Sequence, residues 1–256
     1  MKADYYVALK TIVRKEASRI IRIWSQTLLP PLITQTLYFV IFGKFIGSQV
    51  RAINGITYME FIVPGLVMMA VITNAYGNVV ASFYSAKFQR NLEEMLVSPM
   101  PDWVIVAGYV MGGVVRGVAV GVLVFLVSLF FAHPIVTHAW AIILFTLLSS
   151  VLFSLAALIN GIFARNFDEV AFFQNFILTP LIYLGGVFYS VHNLPPVWQN
   201  LSLYNPLVYM VNGFRYGFFG FSDVDPGLCL LVLLVLTIIL GVINLILFKK
   251  GIGLKN

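Results

Sequence analysis

Charged residues are scarce in this sequence. Asp, Glu, Lys and Arg make up only 10% of its 256 residues, and 60% are hydrophobic. An ordinary soluble domain has roughly 25% charged and 45 to 50% apolar residues. A water-soluble fold has no place to bury so many apolar side chains, so the composition excludes the soluble classes and indicates a membrane protein.

Residues and motifs typical of enzymes and metal sites are also few. Cys229 is the single cysteine, which excludes an intrachain disulfide and a cysteine metal cluster. The histidines, His133, His138 and His192, come with no HExxH pattern, and there is neither a GxxxxGKS or GxxxxGKT phosphate loop nor a GxSxG nucleophile elbow. We therefore expect that this chain binds no metal or cofactor, hydrolyses no ATP by itself and is not an enzyme.

Six apolar stretches are long enough to cross a bilayer, whose hydrocarbon core of about 30 Å needs roughly 20 residues of helix. Apolar residues follow one another within each stretch instead of alternating, which favours helices over the strands of a membrane barrel. The sequence therefore predicts an all-α polytopic membrane protein with six transmembrane helices and a single domain over residues 1–256. The predicted spans are residues 24–42, 61–84, 103–131, 139–163, 170–189 and 228–248.

The distribution of Lys and Arg around these spans predicts the orientation. The formal net charge is +6, but the basic residues form no continuous stripe and do not indicate nucleic-acid binding. Twelve of them fall on one side of the predicted spans and three on the other, and cytoplasmic loops carry the excess. Both termini are therefore predicted to be cytoplasmic, and the first span is expected to act as the targeting signal, since no cleavable leader is recognisable. The twelve are Lys2, Lys10, Arg14, Lys15, Arg19, Arg22, Lys87, Arg90, Arg165, Lys249, Lys250 and Lys255; the three are Lys44, Arg51 and Arg215.

Residues 1–23 contain a basic amphipathic pattern. Apolar side chains recur at steps of three and four, and basic ones take the other positions. The pattern predicts a helix in the membrane interface with its apolar face toward the acyl chains. A simple positively charged anchor would explain the charges but not the periodicity. The apolar positions are Tyr6, Leu9, Val13, Ala17, Ile20 and Trp24.

The loop at residues 85–101 is the largest charged cluster between two predicted spans. A short helix is predicted here, which Pro99 and Pro101 end. Its apolar face either docks into the groove of a cytoplasmic partner or folds back beneath the bilayer surface, and the residues alone leave both open. Phe88, Leu92, Met95 and Leu96 form this face, with Glu93 and Glu94 beside it.

Residues 191–226 are rich in proline and aromatic residues and carry no Lys, Arg, Asp or Glu before Arg215. The segment is too short for two crossings with loops, and one extra crossing would contradict the charge bias. We therefore expect it to enter the outer leaflet and return, its irregular backbone satisfied by protein or water and its aromatics at the interface. Arg215 needs a partner, and Asp223 and Asp225 are near in sequence.

A few polar side chains fall within the predicted spans. Arg116 carries the largest cost of insertion into the membrane, about 2.5 to 3.5 kcal/mol for an arginine at the centre of a helix. It lies among Gly112, Gly113 and Gly117, which permit close helix packing, so it is either an interhelical partner or a substrate contact. The amides likewise either bond between helices or line a path; they are Asn74, Asn78, Asn160, Gln174 and Asn175.

Three motifs, taken in chain order, carry a family resemblance. They are FIVPG at residues 61–65, NLEEMLVSP at 91–99, and NPLVY at 205–209 followed by FRYG at 214–217. With them the sequence resembles, over essentially its whole length, ABC-2-type transporter permeases, the membrane subunits of ATP-binding-cassette exporters. The middle motif is the most specific. The sequence looks closest to small bacterial inner-membrane permeases related to drug-efflux and nodulation-factor exporters.

The resemblance implies a mechanism and partners. It makes residues 85–101 a coupling helix that docks into a separate ATPase subunit holding ATP and Mg, residues 1–23 a connecting helix, and residues 191–226 extracytoplasmic re-entrant helices. It also implies an inner-membrane exporter in which two copies pair and the path lies at their interface. The implied coupling residues are Phe88, Arg90, Leu92, Glu93, Glu94, Met95 and Leu96, and the gate candidates are Trp198, Tyr204, Asn205, Pro206 and Arg215.

Aromatic and apolar side chains dominate the spans, so we expect an amphipathic substrate such as a lipid, a glycolipid or a hydrophobic drug. Two other classes remain as alternatives. An ion-coupled carrier would need carboxylates inside the membrane, and none of the ten acids is central in a predicted span; Glu60 and Asp102 lie at span edges. A structural or assembly subunit would transport nothing, and recruitment of an ATPase would separate it from an exporter.

Overall fold

The computed structural model describes residues 5–50 and 55–254. In these two ranges the chain forms helices and no β-strand, so the predicted all-α fold is confirmed. Lys2, Arg51 and Lys255 of the charge count lie outside the described residues. The α-helices are α1 (Tyr5–Arg22), α2 (Trp24–Thr27), α3 (Leu29–Tyr38), α4 (Tyr58–Phe88), α5 (Asn91–Val97), α6 (Asp102–Ser128), α7 (Ala139–Phe163), α8 (Phe167–Phe172), α9 (Thr179–Tyr183), α10 (Pro196–Ser202), α11 (Pro206–Phe219) and α12 (Pro226–Lys250); π-helical turns cover Phe39–Ile46 and Phe173–Leu178, and 3-10 turns cover Gly47–Gln49 and Val191–Asn193.

Five helices in the described part of the chain are long and apolar enough to cross a membrane. The first is a run over Trp24–Ile46 that comprises α2, α3 and a π-helical turn, and we call it the first span. The others are α4, α6, α7 and α12. Their ends lie within a few residues of the predicted ones, so five of the six predicted membrane helices are confirmed as candidates for crossing.

The predicted span at residues 170–189 is not among these five. Helix runs here only over residues 167–183, through α8, a π-helical turn and α9. It measures about 25 Å at 1.5 Å per residue, less than the roughly 30 Å of a hydrocarbon core. The helix ends just before Gly185 and Gly186, and Gly186 has a left-handed backbone with φ of 76°. The apolar pattern continues to Tyr189 but the helix does not, so the count of six is not confirmed.

Local sequence signals begin and end several helices. α4 starts with a capping box, in which the Thr57 hydroxyl accepts from the Glu60 amide and the Glu60 carboxylate accepts from the Thr57 amide at 3.1 Å. Asn205 and Asp225 cap α11 and α12 through their side-chain oxygens. Gly220, in the left-handed conformation, ends α11. The cap at Asn205 separates α10 from α11, and Gly220 separates α11 from α12, so the chain before α12 forms two short helices.

α4 is the central helix of the bundle. It packs against α6, α7 and α11 and buries most of its side chains, whereas the first span and α12 expose most of theirs. Close packing around it depends on glycines of α6: a Cβ on Gly113 would collide with the Ser154 side chain, and one on Gly117 would lie 3.0 Å from the Ala75 Cβ. Small residues let membrane helices approach closely, so they bring α4, α6 and α7 together.

The two ends of the bundle carry different elements. At one end, α5 follows the C-terminal end of α4, which meets the end of α7 where the Lys87 ammonium donates to the Ala164 carbonyl at 3.2 Å. At the other end, α11 packs among α4, α7 and α12, and the His138 amide donates to the Gly217 carbonyl at 2.8 Å. The predicted coupling and gate segments therefore lie at opposite ends of the molecule.

Candidate coupling and substrate sites

The chain reverses sharply between α4 and α5. Arg90, at this turn, has φ of 62° and ψ of 6°, and it is the one non-glycine residue with positive φ among the residues described. This left-handed region is uncommon for residues with a side chain. The turn joins α5 directly to the end of α4, the central helix.

The apolar side of α5 faces the protein. Leu92 is 1% exposed and belongs to the hydrophobic core, and Met95 and Leu96 are half-buried against it. The sequence predicted Leu92 as part of a surface that contacts a partner. That prediction is wrong, because the Leu92 side chain is buried inside this chain. Burial of this face is the main way in which so short a helix is stabilised.

The opposite side of α5 is exposed and acidic. Glu93 and Glu94 are exposed on it, and Val97, its last residue, is 87% exposed. Phe88, the last residue of α4, is 65% exposed on the other side of the turn. Arg90 is exposed at the turn. These five residues form what we call the docking face.

A buried polar network joins α1 to α4. The carboxylate of Glu16 is fully buried; one oxygen accepts from the Ser82 hydroxyl at 2.7 Å and the other pairs with the Arg19 guanidinium at 2.9 Å. Arg19 also donates to the Asn78 side-chain oxygen at 2.8 Å. Both carboxylate oxygens thus have partners, as a buried charge requires. The network fixes α1 to the centre of the bundle.

Glycines of α6 make this burial possible. Ile12 and Glu16 lie one turn apart on α1, and Gly108 and Gly112 lie one turn apart on α6. A Cβ on Gly108 would lie 2.8 Å from the Ile12 Cβ, and one on Gly112 would lie 2.8 Å from the Glu16 Cβ. Any larger residue at either glycine would therefore push α1 away.

The protein-facing side of α1 differs from the apolar face that the sequence predicted. Its buried residues are Ile12, Glu16 and Ile20, whereas Tyr6 and Trp24 are exposed. Sequence reasoning missed Glu16 because an acid in a basic amphipathic helix is ordinarily solvated. The available signal was its spacing, four residues from Ile12 and four from Ile20.

A polar cavity of about 370 Å³, which we call the polar cleft, lies at mid-height of the bundle. Asn74 and Arg116, near the middles of α4 and α6, line it together with Gln174 and with Gln35 of α3. Three of the predicted path candidates therefore meet here. Gln35 was not predicted, and its side-chain oxygen is buried without a hydrogen-bond partner.

Arg116 has few partners for a charged group at this depth. One guanidinium nitrogen donates to the Thr27 carbonyl of the first span at 3.2 Å, and the Nε is buried without a partner. Within residues 5–50 and 55–254, Arg116 forms no ion pair. It is therefore an interhelical contact that also lines the polar cleft, and its predicted role as a substrate contact stays a prediction.

The other predicted path amides do not line the polar cleft. Asn78 bonds to Arg19 in the buried network. The Asn160 amide donates to the Tyr76 hydroxyl at 2.7 Å and to the Val170 carbonyl at 3.3 Å, and so ties α7 to α4 and α8. Asn175 is exposed. Two of these three are therefore packing contacts.

Three of the predicted gate residues surround one cavity of about 270 Å³ at the opposite end. Trp198, Tyr204 and Asn205 line it with Leu181 of α9. Tyr204 is 86% exposed, and the Asn205 amide donates to the Leu181 carbonyl at 2.7 Å. Pro206 occupies the first turn of α11.

Arg215, the remaining gate candidate, lies apart from that cavity and is 1% exposed. Its guanidinium donates to the Gly186 carbonyl at 2.8 Å, lies 4.0 Å from the Asp223 carboxylate, and stacks 4.1 Å from the centre of the Phe61 ring. Asp223 is one of the two partners that the sequence suggested. Arg215 thus ties α11 to the chain before and after it and to the start of α4.

Metal ligation finds no support in the part of the chain that the structure describes. No group of three His, Cys, Asp or Glu side chains there is placed to hold an ion. Cys229 is buried as a free thiol, and the His138 ring stacks on Tyr216 at 4.7 Å.

Comparison with known proteins identifies the family. A model of the ABC-2 type transporter family matches residues 7–219. The chain is 56% identical over 253 residues to the inner membrane transport permease YadH of Escherichia coli K12, covering 98% of both chains. It is also 27% identical over 178 residues to nodulation protein J of Sinorhizobium fredii NGR234, covering 68% of this chain and 66% of that one, and 23% identical over 194 residues to nodulation protein J of Rhizobium leguminosarum bv. viciae, covering 74% and 73%.

This chain belongs to the ABC-2 type transporter family, as its motifs predicted. It is accordingly a multi-pass membrane permease, the type of subunit that forms the membrane part of an ABC transporter.

Proposed function

We propose that this chain is the membrane subunit of an ABC exporter of the bacterial inner membrane, driven by a separate ATPase subunit that holds ATP and Mg. The observation that carries the proposal is the docking face: two exposed carboxylates on the short helix α5 and an exposed aromatic ring, Phe88, at the end of the central helix, with a left-handed turn between them. The transport function of the relatives, as their names state it, supports the same conclusion.

Both termini and α5 lie in the cytoplasm, by the charge bias of the loops. The helical run over residues 167–183 is then a sixth crossing, because an even number of crossings is needed to leave both termini in the cytoplasm. Its length of about 25 Å falls short of the hydrocarbon core by an amount that local thinning of the bilayer accommodates. α11 has 14 residues, about 21 Å, which is too short to cross. We therefore take α10 and α11 as helices that enter the outer leaflet and return.

Force from the ATPase passes along a short route. Closure of the ATPase on ATP displaces α5, the turn at Arg90 transmits the displacement to α4, and the Glu16 network carries α1 along with it. Two copies pair, and the polar cleft opens toward their shared path. The buried carboxylate of Glu16 is already paired with Arg19, so it supplies no free acid for an ion-coupled carrier.

Co-purification tests the proposal. The tagged wild-type chain, extracted in mild detergent, is expected to retain a P-loop ATPase identified by mass spectrometry. Phe88→Asp should lower the recovered ATPase at least about tenfold, because an aromatic anchor at an interface contributes about 2 kcal/mol or more. Glu94→Arg should lower it as well, because it reverses a charge at the interface.

Phe130→Asp is the matched control, since Phe130 is 88% exposed just beyond the end of α6 that lies farthest from α5. It should recover as much ATPase as the wild type. Absence of any ATPase from the wild-type preparation, or equal recovery with all three variants, would contradict the proposal.

A further inference from the structure

The polar cleft holds a cation, Arg116, that forms no ion pair within the described ranges 5–50 and 55–254. Arg116 lies close to the middle of α6, and Thr73 and Asn74, which line the same cleft, lie at the middle of α4. The site is therefore at mid-depth of the membrane-crossing bundle. A charged side chain at that depth is costly and marks a pathway or a buried pair.

No carboxylate lines the polar cleft. Of the acids in the described residues, Glu16 is already paired with Arg19, and the others lie in loops or near helix ends. A second copy of the chain would bring the same set of acids at the same depths. On the residues that the structure describes, a second copy would thus add no new counterion for Arg116, and an anionic ligand would supply the missing charge.

Amide side chains line the same cleft as Arg116. They belong to Gln35, Asn74 and Gln174, and the Gln35 oxygen is buried without a hydrogen-bond partner. Arginine binds phosphate and carboxylate groups through two parallel N–H donors, and amides add donors as well as acceptors for neighbouring hydroxyls. The donor set matches an anionic headgroup better than a purely apolar drug.

Exposed apolar side chains lie on the two segments that carry Gln35 and Gln174. Ile33 and Leu37 of α3 are 59% and 54% exposed, and Phe172 and Phe176 of the helical run over residues 167–183 are 56% and 69% exposed. They offer a surface for acyl chains beside a site for a charged head. The combination fits one molecule that is anionic at one end and apolar at the other.

We propose that the polar cleft binds the anionic headgroup of an amphipathic lipid, with Arg116 recognising its phosphate or carboxylate. This rests on the proposed function, in which the lipid is the exported substrate. A free anion shares the headgroup chemistry but would not use the apolar flanks.

Site-specific photocrosslinking tests the proposal. The full chain is placed in nanodiscs of phosphatidylcholine with a phosphatidylglycerol analogue that carries a diazirine in its headgroup, and crosslinked peptides are mapped by mass spectrometry. Crosslinks are expected on residues 69–77 and around residue 116. Unlabelled phosphatidylglycerol should abolish them, whereas extra phosphatidylcholine and inorganic phosphate should not.

Arg116→Gln should lower the yield at this site at least about tenfold, because a hydrogen bond to a charged group contributes about that factor in affinity. Arg116→Lys, which keeps the charge, should retain most of it, and Lys44→Gln, which removes an exposed cation elsewhere on the first span, should change nothing. Gln174→Leu should also lower the yield and keeps the test informative if Arg116→Gln folds poorly.

An unchanged crosslinking yield in Arg116→Gln, or competition by phosphatidylcholine as strong as by phosphatidylglycerol, would show that the cleft does not recognise an anionic headgroup. Displacement by inorganic phosphate would show that the ligand is a free anion and not a lipid. ATPase recovery is measured on the same variants and should stay at the wild-type level. If no ATPase is recovered but the crosslink appears and depends on Arg116, the exporter proposal fails while the binding site stands.

Discussion

At the scale of single residues, Glu16 is the side chain that holds α1 against the bundle. It is the fully buried acid of α1, and its two oxygens bind partners on two different helices. Replacement by Gln keeps the size but leaves the Arg19 charge unpaired. Because Arg19 is partly exposed, we expect Glu16→Gln to lower the free energy of unfolding by about 3 kcal/mol, the low end for breaking a buried ion pair.

Thermal unfolding of the detergent-solubilised chain, followed by tryptophan fluorescence, measures this loss. Glu93→Gln removes an exposed carboxylate from α5 and should leave the unfolding midpoint unchanged. The double variant Glu16→Leu with Arg19→Met should be less destabilised than Glu16→Gln, since no unpaired charge remains. Equal midpoints for Glu16→Gln and Glu93→Gln would refute the role of the network.

Leu92 shows how a residue's burial changes what its substitution tests. The apolar pattern around it suggested contact with a partner, but the side chain is in the core. Leu92→Asp is therefore expected to destabilise the chain by burying an unpaired charge. Loss of ATPase binding in this variant would report on folding, and Phe88 and Glu94 are the positions that report on docking.

At the scale of elements, the close contact between α4 and the chain after α9 depends on one glycine. A Cβ on Gly65 would lie 2.9 Å from the Val187 Cα, a backbone atom and not the far end of a flexible side chain. We expect Gly65→Ala to destabilise the chain by about 1 to 3 kcal/mol, as overpacking does. The same thermal unfolding assay measures it.

Gly77→Ala is the matched control on the same helix. A Cβ there would lie 4.0 Å from its nearest neighbour, the Gln174 side-chain oxygen, which is ordinary contact distance. It should be neutral or slightly stabilising, because alanine favours helix over glycine by about 0.5 to 1 kcal/mol. Similar midpoints for the two variants would show that the packing at Gly65 is loose.

The sequence predicted elements well where apolar runs are long and less well where the helix is short. Residues 139–163 were predicted with the same bounds that α7 has, because hydropathy alone determines a membrane helix of this length. The stretch at residues 170–189 was predicted too long, since backbone conformation at Gly186 ends the helix and side-chain hydropathy does not register it. The side of α1 that faces the protein could not be predicted from its own sequence, because glycines of α6, far away in the chain, make room for it.

At the scale of the whole molecule, the charge bias predicts that α5 and α10 lie on opposite sides of the membrane. Cys229 is a buried free thiol, so its replacement by Ser gives a background without reactive cysteine. In that background we expect a membrane-impermeant maleimide to label Asn200→Cys in intact spheroplasts and to leave Glu93→Cys unlabelled until the cells are lysed.

Both positions are exposed, so a difference in labelling reports the side of the membrane and not the burial of the thiol. The Cys229→Ser background without an added cysteine should stay unlabelled throughout. Labelling of Glu93→Cys in intact spheroplasts would reverse the topology and remove α5 from the reach of a cytoplasmic ATPase.

The sequence by itself determined the class of protein, the all-helical fold, five of the membrane helices and the family, because these follow from apolar length and short motifs that are local in the chain. It also named Asn74, Arg116 and Gln174 as polar residues of the spans. Only the tertiary structure decided that these three share one cleft with Gln35, that Leu92 faces inward, and that Glu16 is buried against α4. Each of these depends on which helices touch, and helix contacts are set by small residues and packing between segments distant in sequence.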